Sequence, residues 1–281
     1  MAGLKPRPRE MATTRRGTET GDIPADIREA LEVYAGRTGI FANNVHWFAE
    51  TGSTNDVALR LAERGAVEGS LIGADAQTAG RGRLGRTWSS PPGAGLYVSV
   101  ILRPPAEACP LVTITAGVAI AEGLRTATGL TTALKWPNDL YVGLRKVAGI
   151  LAEAGASPGG LSHVVLGFGI NLMPAAYPPD IAARAGSLES ELGRPVDRGV
   201  TLAACLAALS RRYDDLVQRR TSSLLDEWRT LAAPTLHRRV ECVASTGRVA
   251  GIAEEIDEAG ALLVRTDDGI VRVISGEVTW S

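Results

Sequence analysis

Apolar residues recur at helical spacing along several stretches of the chain. Ile27, Ala30, Leu31 and Tyr34 mark a short amphipathic helix over 23–35. A second helix is predicted over 56–64, with Ser53 or Thr54 as its cap and Asp56 completing a capping box. A third pattern covers 110–126, with Pro110 near its start. The fourth covers 201–219 and lines up Leu202, Cys205, Leu206, Leu209, Tyr213 and Leu216 on one face. Residues 224–231 read as a further helix. Strand-like runs lie between them, at 45–49, 71–76, 95–102, 131–136, 140–142, from 146 and at 162–172. Residues 173–198 carry Pro174, Pro178, Pro179 and Pro195 and read as a long loop with short helical pieces.

The texture changes after Pro234. Short runs at 240–243, 248–252, 262–264 and 270–274 are separated by Ser245-Thr246-Gly247, Glu258-Ala259-Gly260 and Asp267-Asp268-Gly269. Strands of that length between turn formers predict a small antiparallel barrel. The expected organisation is a disordered tail over 1–22, an α+β domain with helices packed on a mixed sheet over 23–233, and a small β-barrel domain over 234–281.

Composition narrows the function. A net charge of −1 argues against a dedicated DNA-binding protein. Cys109, Cys205 and Cys242 are widely spaced and form no C-x-x-C, which points to a reducing cytoplasm rather than a disulfide framework. The three histidines are scattered, so no metal ligands can be assigned. The longest apolar run, near 111–121, is too short for a bilayer span, and the Arg- and Thr-rich start lacks the apolar core of a secretory signal.

Against this ordinary background, QTAGRGRLGRTWSSPP over 77–92 stands out. Gly80, Gly82 and Gly85 let the backbone approach a ligand. Arg81, Arg83 and Arg86 offer forked donors for carboxylate and phosphate. No acidic residue occurs between Asp75 and Glu107, so the patch reads as uncompensated and as a loop that orders on an anion. The G-x-G-x-x-G match is not a dinucleotide fingerprint, because Thr87-Trp88-Ser89-Ser90-Pro91-Pro92 does not open a helix. One Gly-Arg segment is also too little for single-stranded nucleic acid. The G-x-S-x-G match at 155–159 is rejected as a nucleophile elbow, since strands flank it on both sides.

Other segments add polar chemistry. Thr51-Gly52-Ser53-Thr54-Asn55-Asp56 opens a helix and could cap it or face a polar ligand. Lys135-Trp136-Pro137-Asn138-Asp139 ends one strand, Lys146 begins another, and Gly167 and Gly169 precede Asn171. Taken in order with Gln77, the Arg-Gly loop and Lys146-Val147-Ala148-Gly149-Ile150-Leu151, these segments resemble the biotin protein ligases. The resemblance runs from about Val45 to the C-terminus.

That resemblance implies a fold and a chemistry. The fold would be the class II synthetase-like catalytic domain of biotin and lipoate ligases, followed by an SH3-like barrel. The reaction would join biotin to ATP as biotinyl-5′-AMP, then pass biotin to a lysine of a biotin carboxyl carrier protein domain. Biotin would meet Ser53, Thr54, Asn55, Gln77, Gly80, Arg81, Gly82, Arg83 and Lys146. ATP and the adenylate would meet Arg81, Arg83, Arg86, Trp88, Asn138, Lys146 and Asn171. Lys146, Arg83 and Asp139 would carry the catalysis, Asp139 by orienting or deprotonating the incoming lysine. Mg²⁺ is expected with ATP. About 44 residues precede the matched region, too few for a winged-helix domain, since even ~60 residues make a marginal one. The expectation is therefore a monofunctional cytoplasmic ligase that binds neither DNA nor membrane, as a monomer or ligand-dependent homodimer. Alternatives are a lipoate or octanoate ligase or transferase on the same fold, a biotin-sensing DNA-binding repressor, and a carrier-binding scaffold without catalysis.

Overall fold

The computed structural model describes residues 21–157, 160–175, 177–244 and 247–280. Residues 1–20 of the predicted tail lie outside them, while the Gly21 amide donates to the Trp47 carbonyl at 2.8 Å.

Seven strands form the main sheet: β1 (Val45–Phe48), β2 (Leu71–Ala74), β3 (Gly95–Leu102), β4 (Ala133–Lys135), β5 (Asp139–Val142), β6 (Arg145–Ser157) and β7 (Gly160–Asn171). Their order is β1-β2-β3-β7-β6-β5-β4. Only β1 and β2 pair in parallel, so the sheet is mixed as expected. β3 is buried along its whole length, which explains its continuous apolar run GLYVSVIL.

Helices cover both faces. α1 (Ala25–Tyr34), α3 (Val112–Thr128), α6 (Arg198–Val217) and α7 (Ser222–Ala232) share one core with Leu96, Val98, Val100 and Leu102 of β3. α2 (Thr54–Glu63) packs alone on the other face, its Val57, Ala58 and Ala62 against Ile72, Ile101 and Val165. α4 (Pro179–Ala182) and α5 (Leu188–Leu192) are the short pieces in the proline-rich connection. The segment Ala106–Thr128 is long and apolar enough to cross a membrane by length and composition, but it lies mostly buried in the fold.

Some predicted boundaries move. A 3-10 turn over Ala106–Leu111 takes up Pro110, and α3 starts only at Val112. α2 begins at Thr54, and the capping box is not formed. Ser53 sits at the cap with extended backbone but makes no side-chain cap bond. The Thr54 amide donates instead to Gln77 Oε1 at 2.8 Å, so a distant residue supplies the cap.

The C-terminal sheet has one strand more than predicted. β8 (Arg239–Ala244), β9 (Gly247–Ile256), β10 (Leu262–Thr266) and β11 (Gly269–Val273) are joined by β12 (Glu277–Trp280). The order is β11-β10-β9-β8-β12, antiparallel throughout, as in an SH3-like domain. This sheet is fastened to the main one. Trp136 Nε1 donates to the Gly260 carbonyl at 2.9 Å, and Thr235 Oγ1 to the Leu134 carbonyl at 2.7 Å.

Candidate active site

Beside the start of α2, the Arg-Gly loop folds over β6 and β7. The loop is a tight hairpin. The Gly82 amide donates to the Arg86 carbonyl at 2.7 Å, and the Trp88 amide to the Gly80 carbonyl at 2.9 Å. Leu84 and Gly85 turn the tip with φ of 55° and 73°. Gly85 adopts this region freely, whereas Leu84 carries a conformational cost.

Gly80 serves a different need. A Cβ there would lie 2.4 Å from the Trp88 carbonyl oxygen, so only glycine permits the strand pair to close.

The expectation of an uncompensated patch fails in three dimensions. Arg81 donates from Nη1 to Glu153 Oε1 at 2.9 Å and from Nη2 to Glu153 Oε2 at 2.5 Å. Its Nη2 also lies 2.9 Å from Asp56 Oδ1. Sequence distance hid both acids, since one is on β6 and the other on α2. Arg81 Nε is buried without a partner. Arg83 is partly withdrawn from water, which lowers its pKa, and the nearby Asp139 opposes that shift.

A polar wall stands beside the loop. The Thr54 amide donates to Gln77 Oε1 at 2.8 Å, Thr54 Oγ1 gives its one proton to Ser99, and Gln77 Nε2 donates to Ser90 Oγ at 2.8 Å. Ser99 Oγ lies 2.8 Å from Thr54 Oγ1 and 2.5 Å from Asn55 Oδ1. It has one proton, and the shorter contact to Asn55 claims it. Asn55 in turn donates to Glu153 Oε2 at 2.7 Å. Thr54 and Asn55 are both buried. Gly167 makes room for this arrangement, because a Cβ there would meet Asn55 Oδ1 at 2.0 Å.

On the other side of the loop, Lys146 Nζ pairs with Asp139 Oδ1 at 2.6 Å. The ammonium also stands 5.2 Å from the centre of the Trp88 ring, within cation–π range. The indole lies against two bare glycines. A Cβ on Gly149 would come within 2.8 Å of the ring, and one on Gly169 within 2.4 Å of Nε1. Trp88 is therefore seated on β6 and β7, and its buried Nε1 lacks an acceptor.

Two of the predicted amides are partly spent on the scaffold. Asn138 Nδ2 donates to the Ile150 carbonyl at 2.7 Å. Asn171 Nδ2 donates to the Gly186 carbonyl at 2.8 Å and holds the connection after β7 against β6.

All these groups meet at one cleft of about 770 Å³. Its lining includes Ser53, Thr54, Asn55, Gln77, Arg81, Gly82, Arg83, Arg86, Trp88, Asn138, Asp139, Lys146 and Asn171. Of the predicted site residues, Gly80 alone is outside the lining, acting through the backbone at the loop's base. The cleft also takes in Lys135, Tyr141, Tyr177 and Arg184, which sequence reasoning missed as ligand-facing groups, and Val278 and Thr279 from the C-terminal sheet. Lys135 Nζ lies 5.3 Å from the Tyr141 ring centre. Burial lowers the Lys135 pKa and raises that of Tyr141 to about 12. The KWPND segment could have pointed to Lys135. Nothing in the local sequence pointed to Arg184, because the proline-rich connection has no pattern to align it with β6.

Among the described residues, the cleft lining holds six cations (Arg81, Arg83, Arg86, Lys135, Lys146 and Arg184) and the acid Asp139, with Glu153 and Asp56 pairing Arg81 at its edge. Walls of low polarizability focus such a field on an anion. No group of three His, Cys, Asp or Glu residues among those described could hold a metal ion by itself.

Comparison with known proteins agrees with this geometry. The biotin/lipoate A/B protein ligase family model matches residues 47–171, and the biotin protein ligase C terminal domain model matches 235–279. The chain is 34% identical to the biotin–[acetyl-CoA-carboxylase] ligase of Paracoccus denitrificans, over 82% of this chain and 98% of that one. It is 32% identical to the bifunctional ligase/repressor BirA of Bacillus subtilis, over 95% of this chain and 83% of that one. The biotin protein ligase from Aquifex aeolicus in complex with biotin and ATP superimposes with a TM-score of 0.73 at 30% identity, covering 85% of this chain and 99% of the other. By these matches over both the catalytic sheet and the small β domain, the chain belongs to the biotin protein ligase family.

Proposed function

We propose that this chain activates biotin with ATP and transfers it to a lysine of a biotin carboxyl carrier protein domain. The observation that carries the reading is one cleft that brings Arg83, Lys146 and Trp88 beside a wall of paired donors and acceptors. In the first step a biotin carboxylate oxygen attacks the α-phosphorus of ATP. The bond from that phosphorus to the bridging oxygen breaks, and pyrophosphate leaves. In the second step the carrier lysine amine attacks the carbonyl carbon of the mixed anhydride and AMP departs.

The residues divide these tasks. Ser53, Thr54, Asn55 and Gln77 receive the ureido ring, which needs both donors and acceptors. Arg83 and Lys146 offset charge on the carboxylate and α-phosphate, the step at which fixed charges contribute most. Arg81 has both terminal nitrogens engaged by acids, so Nε is the donor left to it. Arg86 and Asn138 face the phosphates. Trp88 closes over the adenylate and holds Lys146 beneath it. Asn171 keeps one carbonyl oxygen for the adenine edge. Asp139 orients Lys146 in the first step and the incoming lysine in the second. Mg²⁺ arrives on ATP, held mainly by substrate phosphates. The free cysteines fit a reducing cytoplasm. The same proposal has the enzyme act as a monomer or ligand-dependent homodimer, without DNA.

Pyrophosphate exchange into ATP, run with biotin, with lipoate and with neither, tests the reading. Exchange that requires biotin, followed by label on one carrier lysine, is the expected result. Lipoate-dependent exchange would assign the chain to the sister activity. Exchange with neither acid would remove the catalytic assignment.

A further inference from the structure

β4 is the last strand of the main sheet, three residues long and paired on one side only, with β5. So short an edge strand has little of its own to fix it. Its final residue, Lys135, faces the cleft from between two anchors, and both come from the C-terminal region 235–279. On one side Thr235 Oγ1 lies 2.7 Å from the Leu134 carbonyl oxygen and 2.9 Å from that of Ala232. It has one proton, and the shorter contact claims it for Leu134. On the other side the buried Trp136 gives its N–H to the Gly260 carbonyl at 2.9 Å.

The second anchor is itself held fast. Asp257 Oδ1 accepts from the Ala259 and Ala261 amides, both at 2.9 Å, and Asp257 Oδ2 pairs with Arg272. The turn so formed rests on the main domain, since a Cβ on Gly260 would lie 3.0 Å from Ile114 and 3.1 Å from Leu111. Where Lys135 points, cations gather. Its ammonium is repelled by Lys146, Arg184 and Arg238 and attracted by Asp139, and burial further disfavours its charged form. Like charges drawn together and partly withdrawn from water are costly, unless an anion of several charges is to be met there. In the ligase reading Arg83 and Lys146 serve the carboxylate and the α-phosphate. The charge left for Lys135 to meet is that of the β- and γ-phosphates.

We propose that Lys135 binds the leaving pyrophosphate of ATP, and that Thr235 and Gly260 are the positioning residues that aim it there. This assignment deepens the ligase reading and rests on it for the identity of the phosphates. With β4 held at Leu134 and Trp136, the backbone of Lys135 is fixed from both sides, so less ordering remains when the nucleotide binds. Calorimetric titration in the presence of biotin tests it without catalysis. The probes are α,β-methylene-ATP as its Mg²⁺ complex, which cannot release pyrophosphate, and AMP, which has no β- or γ-phosphate. Lys135→Met should weaken the analogue by roughly tenfold, the weight of one charge-assisted bond, and leave AMP within about twofold. Thr235→Val should weaken the analogue by roughly fivefold, again sparing AMP, and Thr235→Ser should restore it. In steady-state assays the same variants should raise KM for ATP and leave KM for biotin within about twofold.

A double-mutant comparison separates aiming from general support. If Thr235 acts through Lys135, the Thr235→Val/Lys135→Met protein binds the analogue no more weakly than Lys135→Met alone. Should Thr235→Val not fold, Asp257→Ala, which unties the turn at Gly260, carries the same comparison. Equal weakening of AMP and the analogue, unchanged binding in Lys135→Met, or effects that multiply in the double mutant would overturn the assignment. If the unaltered protein does not bind the analogue, the assignment and the ligase reading fall together. Binding of the analogue without biotin-dependent exchange removes the ligase reading alone, and the Lys135 variants still decide whether that side chain holds the polyphosphate.

Discussion

The loop over 80–88 aims most of its side chains into the cleft, whereas the segment 135–139 divides its own between the cleft and the scaffold. Both are short, both combine cations with a tryptophan, and both read from sequence as ligand-facing. In the loop, Arg83 and Trp88 face the cleft and Arg81 is tied to its edge. In the segment, Lys135 and Asp139 face the cleft, Trp136 borders it but gives its N–H to Gly260 in the C-terminal domain, and Asn138 borders it while securing β6. The difference follows from backbone. A hairpin rich in glycine projects from the sheet and has a free face along its length. The segment 135–139 instead spans the turn between β4 and β5, where the chain reverses and its side chains leave in different directions.

The contrast predicts opposite kinds of damage. Arg83→Ala should have the largest effect. It removes a charge that interacts with the reacting anions, so the loss of transition-state stabilisation is expected at about 3 kcal/mol or more, on the order of 100-fold in kcat/KM. Stability should hardly move, since Arg83 lies on a projecting turn. Single-turnover adenylation beside thermal melting checks both halves. A variant that melts early but adenylates normally would place Arg83 in the scaffold.

Trp136→Phe is the counterpart in the other segment. The indole is 3% exposed and gives its proton to the Gly260 carbonyl. Phenylalanine leaves that carbonyl unpaired and a small void, for a loss of about 1–3 kcal/mol in stability. Chemical denaturation would show it. KM for biotin should stay within about twofold, because a scaffold change of this size does not remove a ligand contact. A large change in KM with stability intact would mean that the tryptophan reaches the ligand.

Much of this division was legible before the structure. The elements were, because buried strands such as β3 and amphipathic helices such as α6 carry their own periodicity. The resemblance also supplied a set of candidate site residues, and the structure gathers all of them but Gly80 around one cleft. What stayed hidden was partnership. The acids that face Arg81 come from α2 and β6, and the group that caps α2 is Gln77, from the far side of β2. These pairs are made by tertiary packing, and no local spacing encodes them. β12 escaped notice for a similar reason. Four residues gain strand geometry only by pairing with β8.

Ser53 gives the smallest effect and the sharpest test of the site wall. Its sequence position suits an N-cap, and a cap lost to alanine would cost about 0.5–2 kcal/mol in stability. In the structure its hydroxyl makes no cap bond, the Thr54 amide being satisfied by Gln77 instead. Ser53 is 2% exposed, yet it lines the cleft. Its side chain is therefore kept for something other than the helix. Ser53→Ala should leave the melting temperature nearly unchanged and raise KM for biotin several-fold, the weight of one neutral hydrogen bond at about 1 kcal/mol. The reverse pattern, a lower melting temperature with KM unchanged, would return Ser53 to the helix. The ligand-facing wall would then begin at Thr54.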